Sequence, residues 1–455
     1  MQFASPYSLD AAALLRSYCA MINSPVLIPL RLGMTLTLFW ATNLLAGPLE
    51  DYVGKSDASF SWKVVEERKT NGMTITRLDL TSQQWREHVW QHSLQVVRPE
   101  KVRNPRLGFL FITGDGRGSR ELGIATTVAE RAGAVSAVVT KVPNQPLYDG
   151  RKEDALIAYT LDQYLKSRDQ TWPLLFPMVK SAVRAMDAVQ EFATKTEQQK
   201  IDQWILSGAS KRGWTTWLTA AADSRVTAIA PMVIDTLNMK AQTEWAEKIY
   251  GRQSEKIRDY TDFNLVQKSD KPELAELRNW IDPYAYRQRY TMPKLILIGS
   301  NDPYWTVDSL RHYYHDLPGP KLVYQTPNAG HDLAGGKDAL QTLAAFVQII
   351  ADGHKLPAMD WKIDYGNQTT LALKVDQQAK AIRLWTAESP DRDFRNDQWV
   401  SRDLEIKPGS SQSIATIALP ATGYRAFFGE VVLTSPTGHE YKVSTEARVA
   451  PDGVR

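Results

Sequence analysis

Residues 204–222 read WILSGASKRGWTTWLTAAA. An apolar run ends at four small residues, Ser207 to Ser210, and a long, mostly apolar stretch without proline follows. The first half has the texture of a buried strand and the second the length of a helix. A serine on so tight a strand-to-helix junction stands clear of the backbone with its hydroxyl exposed, as a nucleophile requires. Strand and helix approach closely there, so small neighbours are needed, and Gly208 lies two residues before Ser210. The pattern G-x-S-x-G wants a second glycine at 212; Arg212 stands there and the glycine follows at 213. Alone, a Gly-x-Ser after an apolar run is ordinary turn chemistry.

Context strengthens it. PRLGFLFITGDGRG, AVSAVVTKV, VTAIAPMVID and KLILIGSND read as further apolar strands. They alternate with helical segments such as RELGIATTVAERAG, MVKSAVRAMDAVQEFATK and DALQTLAAFVQIIADG. That rhythm implies an α/β fold, a mostly parallel sheet with helices on both faces and function at the carboxyl ends of the strands. SFSWKVVEER and MTITRLDLTSQ are less buried strands suited to an antiparallel edge. Between Val233 and Met292 a stretch rich in Trp, Tyr and charge breaks the rhythm, and a helical cap is expected over about 236–292. After Pro357 short alternating strands with turn signals predict a C-terminal all-β sandwich. The expected divisions are 1–47, 48–355 and 356–455.

A serine hydroxyl needs a base, and the base needs an acid to orient it. On an α/β-hydrolase fold the chain order is Ser, then Asp or Glu, then His. Asp302 follows a buried strand in KLILIGSNDPYW, and His331 follows another in LVYQTPNAGHDLAGG. Ser210, Asp302 and His331 are therefore the expected catalytic triad. Asp332 adjoins the histidine but points elsewhere, Asp235 in VIDTLNM is a displaced alternative acid, and Asp308 reads as a helix N-cap or first-turn carboxylate. The oxyanion requires preorganised donors. The Lys211 N–H is the expected first, and the loop of Gly114, Asp115 and Gly116 supplies the second. That loop has neither a G-x-G-x-x-G nor a P-loop lysine spacing, so a nucleotide site is rejected. Trp214, Tyr304 and Trp305 are expected to contact an apolar or aromatic substrate portion. Glu244 or Glu247 would anchor an amine if the substrate were a cationic peptide. The Lys211 side chain could reach the developing charge, and Arg212 is expected to pair with a carboxylate under the elbow.

Composition limits the alternatives. The 455 residues carry 54 basic and 51 acidic side chains, net +3, too even to mark a nucleic-acid partner. One cysteine, Cys19, permits no disulfide framework within the chain. The pairs His88/His92 and His312/His315 could share helix faces but lack a zinc-binding context, so no metal and no cofactor are expected. Arg31 precedes LGMTLTLFWATNLLAG, whose length and small-residue end predict a cleaved signal peptide within residues 1–47, with Met21 or Met34 as alternative starts. A buried N-terminal helix is the competing reading. A periplasmic or secreted mature chain without a membrane span follows, acting on a small-molecule or peptide substrate.

At SGASKRGWTTW, PMVIDTLNM, GSNDPYW and NAGHDL the chain resembles the PhoPQ-activated pathogenicity-related protein family, over about residues 50–450. The family is hydrolase-like, secreted in bacteria, and related to an autocrine proliferation repressor of amoebae. The resemblance implies Ser210 as nucleophile, Asp302 as acid and His331 as base. It also implies export and a link to resistance against cationic peptides. The elbow is similar as well to that of glucuronoyl esterases, where a basic residue follows the serine and faces the oxyanion; this implies that role for Lys211. A non-catalytic secreted binding or signalling protein on the same fold is the rival reading.

Overall fold

The computed structural model describes residues 47–116, 118–266, 271–366, 368–406 and 411–453. The expected signal peptide and Cys19 lie outside the described residues. Among the described residues no helix is long and apolar enough to cross a membrane.

The protein has an α/β fold built on a mixed sheet. Strands β4 (Leu107–Ile112), β5 (Val135–Val139), β6 (Gln203–Ala209), β7 (Val226–Met232), β8 (Lys294–Gly299) and β9 (Lys321–Thr326) run parallel in the order β5-β4-β6-β7-β8-β9. β1 (Ser61–Thr70), β2 (Met73–Trp85) and β3 (His88–Pro99) extend it as an antiparallel edge beside β5. Two such strands were expected. The third, HVWQHSLQVVRP, mixes polar and apolar residues, so its period is weak, yet it buries both faces over residues 94–97.

Alternation along the strands divides the interior into two layers. Leu110 and Ile112 of β4 and Ile296 and Ile298 of β8 face one cluster, with helices Glu153–Ser167, Leu175–Glu197 and Lys211–Ala222. Phe109 and Phe111, with Leu295 and Leu297, face the other, with helices Ser119–Ala132 and Lys337–Ala351. The sheet is thus buried on both sides, which explains its nearly uniform apolar strands.

Between β7 and β8 the chain leaves the sheet as helices Met239–Tyr250, Arg258–Asp262 and Pro272–Ile281. After residue 356 it forms β10 (Met359–Tyr365), β11 (Thr369–Val375), β12 (Ala381–Ser389), β13 (Val400–Asp403), β14 (Gln412–Ile417), β15 (Tyr424–Thr434), β16 (Glu440–Ser444) and β17 (Arg448–Ala450). β10, β11 and β14 make a three-stranded antiparallel layer. The opposing layer, β16-β15-β12-β13, joins the central sheet through Ser444 of β16 and Val323 of β9. Leu371, Leu373, Phe427 and Val431 share one hydrophobic cluster with Leu343 and Phe346 of the helix Lys337–Ala351. The C-terminal layers therefore share the core of the α/β part, and a second, smaller cluster that includes Phe394, Trp399, Tyr424 and Phe428 is their own.

Candidate active site

Ser210 lies between β6 and the helix Lys211–Ala222 with φ 58° and ψ −125°, a conformation that side chains other than glycine rarely adopt. Such backbone costs about 1–3 kcal/mol and persists only where its surroundings over-determine it. Here the Ser210 N–H donates to Met232 O on the adjacent strand end (2.9 Å), and its carbonyl accepts the Trp214 N–H (3.0 Å), the first turn of the helix. A Cβ on Gly213 would lie 2.6 Å from Ile234 Cγ2 and 2.9 Å from Met232 O; one on Gly208 would lie 2.8 Å from Arg212 O. The displaced glycine at 213 thus meets the close approach of helix and strand. Position 212 is left to a side chain.

That side chain holds the floor of the site. Arg212 is 8% exposed. Its Nη1 and Nη2 donate to the two carboxylate oxygens of Glu153 (2.7 and 2.6 Å), and its Nε donates to Val142 O (2.5 Å). A Cβ on Gly114 would lie 2.2 Å from Arg212 Nη2. Gly114, expected only as part of an oxyanion loop, is therefore required as a seat for the guanidinium. Burial alone would raise the Glu153 carboxyl, but Arg212, through hydrogen bonds and charge, holds it down at about 2. The elbow helix, the loop after β5, the start of helix Glu153–Ser167 and the Gly114 turn are fastened through one side chain.

The three residues expected as a triad meet. His331 Nε2 is 2.8 Å from Ser210 Oγ, and His331 Nδ1 is 2.7 Å from Asp302 Oδ2. The second oxygen of Asp302 accepts the Tyr304 N–H (3.0 Å). The loops bearing the acid and the histidine are tied together: Asn301 N–H donates to Ala329 O (2.9 Å) and Asn328 N–H to Ser300 Oγ (2.9 Å). The C-terminal segment braces the acid loop, since Asn301 Nδ2 donates to Phe394 O (2.9 Å) and Asp397 O (2.8 Å). Tyr304 stacks on the His331 ring, centroids 4.5 Å apart and planes at 30°, and Trp305 meets Tyr304 edge-on at 5.1 Å. Asp332 accepts the Ala334 N–H (3.1 Å) and turns its own loop.

The alternative acid, Asp235, is buried, and among the described residues its Oδ1 has no hydrogen-bond partner. Burial pushes its carboxyl up to about 8, and the charge of Asp302 adds to this. Asp308 occupies the N-cap position of the 3-10 turn Ser309–His312, as expected, but its side chain makes no cap hydrogen bond. Its side chain is buried and accepts from Trp245 Nε1 (3.0 Å), Arg311 Nη1 (3.0 Å) and Arg392 Nη2 (3.1 Å), joining cap, acid loop and C-terminal segment. Its nature as a hub depends on Arg392, far away in the sequence.

Ser210 opens into a cavity of about 540 Å³ whose lining includes Lys211, Trp214, Tyr304 and Trp305. Trp214 donates its indole N–H to Ile281 O (2.6 Å). The Lys211 ammonium, expected to face the oxyanion, instead donates to Asp154 Oδ2 (2.9 Å) and lies 3.4 Å from Glu153 Oε2. Asp154 Oδ1 accepts from Tyr260 OH (2.9 Å), and Tyr304 OH lies 3.5 Å from Oδ2. Asp115 and Gly116 are exposed and, with Gly114, do not line this cavity. Glu244 and Glu247 do line it, Glu247 accepting from Gln253 Nε2 (3.2 Å). Glu153, Asp154 and Tyr260 were not singled out in the sequence; two first-turn carboxylates and a tyrosine in a charged stretch carry no local signal. His88 and His92 lie on β3, not on a helix, and His312 and His315 on short 3-10 turns. Among the described residues no group of three or more His, Cys, Asp or Glu side chains is placed to hold a metal ion.

A sequence profile for the PhoPQ-activated pathogenicity-related protein matches residues 49–395. The chain belongs to this family. Within its wider kinship, the chain is 31% identical to autocrine proliferation repressor protein A of Dictyostelium discoideum, over 93% of this chain and 94% of that one. Among solved structures it is similar to an acetyl xylan esterase from Paenibacillus sp. R4 (TM-score 0.47, 13% identity, 65% of this chain and 91% of that one). An S-formylglutathione hydrolase from Agrobacterium tumefaciens gives a TM-score of 0.41 at 10% identity, covering 64% of this chain and 96% of that one. The family match ends at residue 395, within the loop that braces the Asp302 turn.

Proposed function

We propose that this family member is an exported serine hydrolase that transfers an acyl group from an ester or amide to water. The observation that carries the reading is the hydrogen-bonded chain Asp302–His331–Ser210, with the serine on a strained elbow at the mouth of a cavity. His331 Nε2 takes the Ser210 proton as Oγ attacks the acyl carbon. Asp302 holds Nδ1–H toward itself and stabilises the imidazolium. The Lys211 N–H and an amide of the Gly114–Gly116 loop hold the oxyanion. The tetrahedral adduct collapses, the leaving alcohol or amine takes the proton from His331, and water repeats the sequence to release the acid. Trp214, Tyr304 and Trp305 contact the substrate.

The Lys211 side chain takes a supporting part: it neutralises Asp154 and Glu153 beside the serine, and its amide alone serves the oxyanion. A secreted signalling protein without catalysis is the second reading, favoured by the name of the amoebal relative, a proliferation repressor. Treatment of the purified chain with a fluorophosphonate separates the two. The hydrolase reading expects one adduct, absent from Ser210→Ala; a folded wild type that takes no label contradicts it.

A further inference from the structure

The cavity at Ser210 says which acyl group fits. At about 540 Å³ it lies in the range that encloses drug-sized ligands, far larger than an acetyl group. Its walls include Leu161, Ile234, Leu274, Leu277 and Ile281, from the helix Glu153–Ser167, the turn after β7 and the cap helix Pro272–Ile281. The other cap helix, Met239–Tyr250, buries none of its twelve residues completely, and Met239 and Thr243 look into the cavity. A helix packed on a filled core would bury a stripe of side chains. This one faces a hollow whose surface is mostly apolar, although Lys240, Glu244, Glu247 and Arg278 also border it.

The charges nearest the serine are engaged with one another. The Lys211 ammonium is held by Asp154 and Glu153, and the other Asp154 oxygen by Tyr260 OH. Binding a substrate carboxylate at Lys211, or an amine at Asp154, would require breaking a partly buried ion pair, whose remaining member would be left uncompensated. Glu244 and Glu247, the amine anchors considered from sequence, border the cavity on the cap helix but are themselves exposed to solvent.

We infer that the acyl group this site accepts is neutral, apolar and aliphatic, about six to ten carbons long, and lodges under the cap. The inference rests on Ser210 as nucleophile. Each added methylene buried in such a cavity is worth about fourfold in kcat/KM.

The test uses the full chain and 4-nitrophenyl esters from acetate to decanoate. The expected result is kcat/KM rising through octanoate by about threefold to fourfold per methylene. Leu277→Trp, which fills the wall, is expected to lower the octanoate-to-acetate ratio at least about tenfold. A binding measurement independent of turnover accompanies it. Octanamide should raise the Tm of Ser210→Ala, while acetamide at the same concentration should not and charged octanoate should do so less. A flat profile, a preference for acetate, or octanamide that fails to bind overturns the inference while cleavage of any ester keeps the hydrolase reading. Octanamide binding by a chain that cleaves no ester and takes no fluorophosphonate overturns the hydrolase reading and keeps the apolar, neutral pocket.

Discussion

The floor and the roof of the site are built in opposite ways. On the floor, Ser210, Asp302 and His331 each follow a strand of the parallel sheet, and their loops are pinned by backbone hydrogen bonds. Beneath them Arg212 is buried and held by three hydrogen bonds to Glu153 and Val142. On the roof, the helix Met239–Tyr250 has no fully buried residue, and Tyr260 reaches down to the floor through one hydrogen bond to Asp154. Strand ends fix positions to a fraction of an ångström because a one-residue slip would misplace a whole buried face. Half-buried helices over a hollow set the shape of a ligand and tolerate exchange. Chemistry belongs to the first region and selection to the second.

The largest effects are expected on the floor. His331→Ala should lower kcat by about 10⁵–10⁶ and Asp302→Asn by about 10³–10⁴, read in ester hydrolysis at matched folding. Asp235→Asn should leave kcat within about threefold, because the carboxylate within hydrogen-bond reach of His331 Nδ1 is that of Asp302. A larger loss from Asp235→Asn than from Asp302→Asn would move the acid to the other strand end.

Next comes the clamp. Arg212→Met removes the two-pronged partner of Glu153 and leaves it Lys211 at 3.4 Å. Unfolding in urea should show a loss of about 2–3 kcal/mol, at the low end for a broken buried pair because the Glu153 side chain is 36% exposed. The sign with pH is fixed by Glu153, held at about 2 against an ordinary 4.5. Between those values the unfolded chain binds the proton and the folded chain does not, so the stabilisation is complete above about 4.5 and disappears as pH falls toward 2. Arg212→Met should flatten that acid limb. An unchanged limb would mean that the pair contributes nothing to folding.

The smallest effect is expected on the roof. Tyr260→Phe removes one hydrogen bond, about 1 kcal/mol, and should change KM by less than about tenfold with kcat unaltered. A fall in kcat comparable to that of the clamp variant would show the roof to be as fixed as the floor.

Much of the floor was legible in the sequence because each of its residues directly follows an apolar strand and the chain order Ser, Asp, His restricts the choice. The cap was legible as an interruption of the strand–helix rhythm. The ion pairs were not. Glu153 and Asp154 open a helix that lies distant in sequence from Lys211 and Arg212, and a first-turn carboxylate reads the same whether it faces water or a buried guanidinium. Gly114 was read as part of an oxyanion loop, and the space that its missing side chain leaves to Arg212 carries no mark in the sequence. Asp308 looked like a local cap because Trp245 and Arg392, which make it a hub, lie far along the chain. The attachment of the C-terminal strands to the sheet rests on one residue pair, Ser444 with Val323, and a single long-range pairing leaves no periodic mark.

The covalent step can be observed by acid-quenching the wild-type chain during turnover of 4-nitrophenyl octanoate and measuring the mass of the peptide that contains residue 210. An octanoyl adduct on Ser210, lost in Ser210→Ala and not formed in His331→Ala, is the predicted result. Turnover without any acylated serine, or an adduct at another residue that survives both substitutions, would contradict the account.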